Sequence, residues 1–291
     1  MQRFKTFFFA DKMARWTSRV LLLLFWQLGG NLSVRVPTPL GTLQFIGQEW
    51  SRAYEGAPWG VFNNELSVNL IVTLARAGVA LTLVVLVALV VGYAMGQIWR
   101  IQASFTDLVV VGIALPAFIW ALLAVMWFGF GNIAPVFVGF VAGTPMLTVN
   151  VFQGSRAIPR ELRDMSESYN VTFRHRFRHL VLPSMAGFVM AGFRVAALAT
   201  WGAVTLVEWF GNNQGAGHRA HYWYDTSNFD GLMGWGLIIL AVVITLDRAV
   251  LEPLVRKARR WRGDITGLGS AREGKRTVET SDLELLERDG G

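Results

Sequence analysis

Between Leu108 and Ser155 the chain carries no Asp, Glu, Lys or Arg, and a second uncharged run extends from Ala77 to Trp99. A helix needs about 20 apolar residues to cross a bilayer, so the first run is long enough for two crossings. In hydrocarbon every backbone N–H and C=O must be satisfied within the protein, which restricts such runs to helices or closed barrels. Their length selects helices. The composition agrees: charged residues make up 16% of the 291 residues and hydrophobic residues 53%, against roughly 25% charged for a soluble domain.

Six membrane spans are expected. The first is Val20 to Leu28, extending over Trp16 to Leu32 and preceded by Arg3, Lys5, Lys12, Arg15 and Arg19. Gly29-Gly30-Asn31 follows it in place of a small-x-small cleavage site, so it is read as an uncleaved span rather than a signal peptide. The others are Leu66–Gln97, Phe105–Phe128 with a kink at Pro116, Asn132–Phe152, Ser184–Val207 and Gly231–Leu246. With the N-terminus inside, 22 basic residues fall in cytoplasmic segments and 3 (Arg35, Arg52 and Arg219) outside. This bias favours both termini in the cytoplasm. The divisions are a cytoplasmic segment 1–15, a membrane domain 16–262 and a disordered cytoplasmic tail 263–291.

The net charge of +7 lies beside apolar spans, which argues for contact with the bilayer and against nucleic acid. With no cysteine there is neither a disulfide nor a Cys-based metal site. His218, His221 and Asp225 are read as a solvated outer loop rather than metal ligands. Gly269 to Lys275 has the G-x-x-x-x-G-K spacing of a phosphate-binding loop, but Arg276 replaces the Ser or Thr and no strand precedes it. No catalytic residue is expected.

The segment from Arg156 to Pro183 is polar, basic and longer than most connections. Pro159 suits a helix start, and Leu162, Met165 and Tyr169 recur on one helical face. Asn170 tolerates the left-handed turn that ends a helix. Phe173, Phe177 and Leu180 then form a second apolar stripe before Pro183. Two short amphipathic helices at a bend result, with stripes to be covered by the chain's own spans or by a partner.

This loop resembles that of ABC importer permeases, written E-A-A, three residues, G, nine residues, I-x-L-P. Here Asp164-Met165-Ser166 is followed by three residues, Asn170, nine residues and Leu180-Val181-Leu182-Pro183. The spacing is kept while Asp, Met-Ser, Asn and Leu replace the usual residues. Thr73-Leu74-Ala75-Arg76, Gly92, Gly96, Trp127-Phe128-Gly129, Gly192-Phe193-Arg194, Glu208, Gly215-Ala216-Gly217, Leu246-Asp247-Arg248 and Trp261-Arg262 resemble the nitrate/sulfonate/taurine group of these permeases. The resemblance covers about residues 16–262.

The resemblance implies an all-α, type I importer permease in the bacterial inner membrane. It implies a second permease subunit, identical or different, a pair of ATPase subunits and an extracytoplasmic solute-binding protein. The cytoplasmic loop would couple to the ATPase, which would bind ATP and Mg; this chain would hold no cofactor and no metal. The solute would be a small molecule such as nitrate, a sulfonate or taurine. An ATP-independent secondary transporter or channel is the alternative. Arg76, Arg194 and Glu208 are candidates for the translocation path or for locking helices together, the lock being preferred for the two arginines and an interfacial carboxylate for Glu208. Gly92 and Gly96 are read as internal helix packing.

Overall fold

The computed structural model describes residues 17–33 and 36–52 (19 and 23 excepted), 64–158 and 160–256. The N-terminal segment 1–15, Pro159, Trp261-Arg262 and the tail 263–291 lie outside the described residues. Helices are the regular elements of the described chain.

The first apolar segment forms α1, Val20–Leu32. Thr17 and Ser18 are helical as well, and Trp16, where the expected span begins, lies outside the described residues. Next comes α2, Pro39–Ser51, a helix outside the expected spans. Its start is encoded locally: Pro39 occupies the first turn, and the Thr38 hydroxyl accepts from the Gly41 N–H at 3.0 Å.

Helix α3, Glu65–Gln97, is apolar along 33 residues. Helices α4, Trp99–Ala114, and α5, Ala117–Phe128, meet at 97°. Where one kinked span is expected over Phe105–Phe128, the structure thus breaks the chain into two helices. Leu115 is extended (φ −74°, ψ 123°), the conformation imposed on a residue preceding proline, and Pro116 has no N–H with which to continue the ladder. Helix α6, Ile133–Arg156, carries Pro145 in its interior.

Two short helices follow, α7 (Arg160–Ser168) and α8 (Phe173–Arg176). A single π-helical turn, Phe177–Val181, joins α8 to α9, Leu182–Gly211, and the run is unbroken from Arg174 to Gly211. The helix that carries the expected span Ser184–Val207 thus begins earlier, at Arg174. The wider turn lies where Pro183 lacks the N–H that would complete the preceding α-turn. Last come α10, Ala216–Asp225, and α11, Phe229–Leu246. A second π turn, Asp247–Leu251, continues α11 to Arg256. Among the described residues four helical runs have membrane length, and the α4–α5 pair is a bent fifth candidate, where six spans are expected.

The chain divides into two compact units. One comprises the described residues up to Val79, Ala117–Val138 and Trp201–Val243. Its core gathers Phe45, Leu66, Ala216, Ala220, Trp223, Trp235 and Ile238, with Phe45 edge-on to Trp223 at 4.9 Å. The other comprises Ala80–Pro116, Gly139–Thr200 and the described residues from Ile244. Val84, Ala88, Leu147, Val151, Val181, Met185 and Ala196 form its core. Here α3 lies against α6: a Cβ on Gly92 would sit 2.8 Å from the Thr148 carbonyl oxygen and from Val151, and one on Gly96 would collide with Ser155. The small-residue pair thus serves packing within the chain.

Candidate functional site

Three groupings bring together the residues singled out above. The first is the α7–α8 bend. Asn170 has φ +48°, its N–H reaches the Glu167 carbonyl at 2.9 Å, and the Val171 N–H reaches that of Ser166 at 3.0 Å. This double closure with a left-handed residue is a Schellman motif, in which asparagine takes the place usually held by glycine. The Ser168 hydroxyl donates to the Asp164 carbonyl at 3.0 Å, and Arg176 pairs with Glu167 at 2.9 Å, tying α8 back to α7.

The two apolar stripes of the bend differ in their surroundings. Phe177 and Leu180 pack against the α3–α6–α9 core of their own unit, with Phe177 edge-on to Tyr93 at 5.5 Å. Ser166 is buried as well. Met165 and Tyr169 are 53% and 78% exposed. The chain's own spans therefore cover Phe177 and Leu180 of the second stripe and leave Met165 and Tyr169 of the first open, while Leu162 is half-buried.

The second grouping is a buried polar network. The Arg76 Nη1 donates to Glu208 Oε1 at 2.8 Å and to the Gln214 carbonyl at 2.7 Å, while Nε and Nη2 converge on Asn132 Oδ1 at 2.9 and 2.7 Å. Glu208, fully buried, also accepts from the Thr73 hydroxyl at 2.8 Å and the Gly217 N–H at 3.2 Å. The Gly215 and Ala216 N–H groups donate to Asn69 Oδ1 and Thr73 Oγ1, each at 2.8 Å. Gly215 is held at φ +119°, and a Cβ there would run into the Glu208 carboxylate. The network fastens the segment between α9 and α10 to α3. Arg76 and Glu208, singled out separately in the sequence, are partners; Asn69, Thr73 and Asn132 were not singled out as polar partners.

The third grouping is Arg194 and Asp247. The guanidinium meets the carboxylate side-on, Nε to Oδ1 at 2.6 Å and Nη2 to Oδ2 at 2.5 Å. Asp247 opens the π turn that follows α11. The side chains are 39% and 18% exposed.

Sequence reading missed a fourth cluster. Glu49 on α2, completely buried, receives Arg219 at 2.6 Å and the Trp235 indole N–H at 3.2 Å, with Arg52 at 3.3 Å. Arg219 also lies over the Tyr222 ring at 5.0 Å. Nearby, burial depresses the His218 pKa, reinforced by Arg219 and His221. His221 lies 3.5 Å from Asp225, one turn along α10.

Comparison with known proteins places this architecture. An aliphatic sulfonates transport permease protein of Bacillus subtilis is 22% identical over 85% of this chain and 87% of its own length. The nitrate import permease protein of Synechococcus elongatus is 22% identical over 79% of the chain and 84% of itself. The taurine transport system permease protein of Escherichia coli is 20% identical over 86% and 89%. Among solved structures, an inward-facing MetNI methionine ABC transporter aligns with a TM-score of 0.58 at 17% identity, covering 65% of this chain and 94% of that one. That likeness shows the fold. The profile of the binding-protein-dependent transport system inner membrane components matches residues 84–259, and the chain belongs to that family, the multi-pass permease subunits of ABC importers.

Proposed function

We propose that the chain forms the translocation path for a small anionic or zwitterionic solute, delivered by an extracytoplasmic binding protein and driven by a separate ATPase pair. The transport names of its relatives, sulfonates, nitrate and taurine, motivate that solute class. The observation that carries the coupling assignment is the α7 stripe. Met165 and Tyr169 stay exposed beside a hydrogen-bonded Schellman bend, on a segment joined through α8 to the membrane-length run Arg174–Gly211. A partner cleft accepting this knob would transmit its closure to α9 along a continuous helix. In this reading Asp164 contacts the ATPase, and Arg76–Glu208 and Arg194–Asp247 lock helices rather than read the solute.

The test is recovery of partners from native membranes in mild detergent, followed by an ATPase assay. An ATP-hydrolysing subunit that co-purifies with the wild type and is lost from Met165→Ser/Tyr169→Ser supports the assignment. Equal recovery with both forms removes α7 as the coupling element. Replacing residues 164–170 with a Gly/Ser stretch is expected to abolish transport while the protein still inserts. An ATP-independent transporter is not favoured, because the family match places the chain among ATP-driven importers.

A further inference from the structure

The coupling assignment leaves one strongly charged surface without a role. Arg174, His175, Arg178 and His179 are all exposed on the first turns of the Arg174–Gly211 run. They recur four residues apart, so Arg174 and Arg178 neighbour one another along the helix, as do His175 and His179, whose rings are 4.2 Å apart. Arg176, between them, is taken up by Glu167. Among the described residues neither Arg174 nor Arg178 forms an ion pair, and the sequence holds no Asp or Glu from Asn170 to Val207. One turn further along the helix, Leu182 is 51% exposed.

A solvated face is the ordinary fate of a charge run. Two features set this one apart. It sits at the end of a membrane-length helix, and exposed charge gives way within one turn to exposed hydrocarbon. That succession matches the boundary between headgroups and acyl chains, where long basic side chains extend their charge to the phosphates. An acidic protein surface would satisfy the charges but not the adjoining Leu182.

We propose that Arg174 and Arg178, flanked by His175 and His179, form a binding surface for anionic phospholipid headgroups. The surface is separate from the α7 stripe, so it does not depend on the ATPase assignment. Each arginine near a charged bilayer strengthens attraction by about fivefold. Removing both should therefore weaken binding roughly 30-fold.

The experiment titrates the purified full-length chain in detergent with phosphatidylglycerol and, separately, phosphatidylethanolamine, counting bound lipid by native mass spectrometry. Wild type is compared with R174Q/R178Q and with R174K/R178K, each checked for helical circular dichroism and monodispersity. The inference expects preference for phosphatidylglycerol, a loss of order 30-fold in the glutamine variant, near-retention in the lysine variant and no change towards phosphatidylethanolamine. Equal binding of the two lipids by the wild type, or unchanged phosphatidylglycerol binding by the glutamine variant, overturns it. A glutamine variant that keeps the lipid but no longer recovers the ATPase assigns the basic surface to an acidic protein partner instead, and also overturns it.

Discussion

An arginine has donors in a rigid fork and no acceptor, so a buried one is tolerated only where acceptors surround it. Arg76 makes four hydrogen bonds to Asn132, Glu208 and the Gln214 carbonyl and is only 7% exposed. Removing one member of such a pair strands the other charge, at a cost of about 3–5 kcal/mol. Removing both leaves no orphan. Arg76→Leu and Glu208→Leu are each expected to lower the midpoint of thermal unfolding strongly, and the double variant by less than the sum. Tryptophan fluorescence during heating reads this directly, and strict additivity would show that the two side chains are not energetically coupled. His218 gives a prediction about pH. Its lowered pKa means that folding disfavours the protonated ring, first through burial and then through Arg219 and His221. The unfolded chain therefore binds the proton more readily, and stability declines as pH falls through the ordinary value of about 6.5 towards the lower folded value. The drop in melting midpoint between pH 7.5 and pH 5.5 should be smaller in His218→Gln than in the wild type.

Among elements, the test of packing is a pair of glycines on the same helix. A Cβ on Gly92 would sit 2.8 Å from the Thr148 carbonyl oxygen and from Val151, whereas nothing lies within 4 Å of a Cβ on Gly78. Backbone cannot yield as a flexible side chain does, so Gly92→Ala is expected to destabilise by about 1–3 kcal/mol. Gly78→Ala should be neutral or slightly favourable through helix propensity. Similar melting midpoints for the two variants would contradict the α3–α6 contact. What the sequence revealed at this scale follows from the physics of each signal. The long helices were legible because hydrocarbon demands uninterrupted apolar runs. The α4–α5 bend was half legible: Pro116 announced a disruption, but hydropathy is the same on both sides, so kink and break read alike. Helix α2 carries the local start signal Thr38-Pro39, but its 13 residues give no long apolar run, so hydropathy does not mark it. The α7 end at Asn170 could be read because its geometry is local. The partners of Arg76 and Arg194 could not, since Asn132 and Asp247 are 56 and 53 residues away in sequence. Periodicity within one helix carries no information about such pairings.

For the whole molecule, the open quantity is direction across the membrane. Helices of membrane length fix that the chain crosses but not which loops face the cytoplasm. Charge supplies the asymmetry: basic residues in short loops are retained on the cytoplasmic side during insertion, and the division of 22 against 3 predicts the α7–α8 bend inside and the α9–α10 segment outside. The chain has no cysteine, so one introduced thiol is the only reactive site and no background must be removed. Tyr169 on the bend and Asn213 between α9 and α10 are both exposed, and neither side chain belongs to the buried network. In intact spheroplasts, a membrane-impermeant maleimide is expected to label Asn213→Cys at once and Tyr169→Cys only after the membrane is permeabilised. The reverse pattern would invert the topology and remove the α7 stripe from reach of a cytoplasmic ATPase, taking the coupling proposal with it. Labelling of both thiols without permeabilisation would place the bend and the α9–α10 segment on one side, leaving an even number of crossings between them. The single run Arg174–Gly211 would then have to re-enter rather than span. The labelling pattern thus tests at once the charge rule, the crossing by α9 and the side on which the exposed stripe can meet its partner.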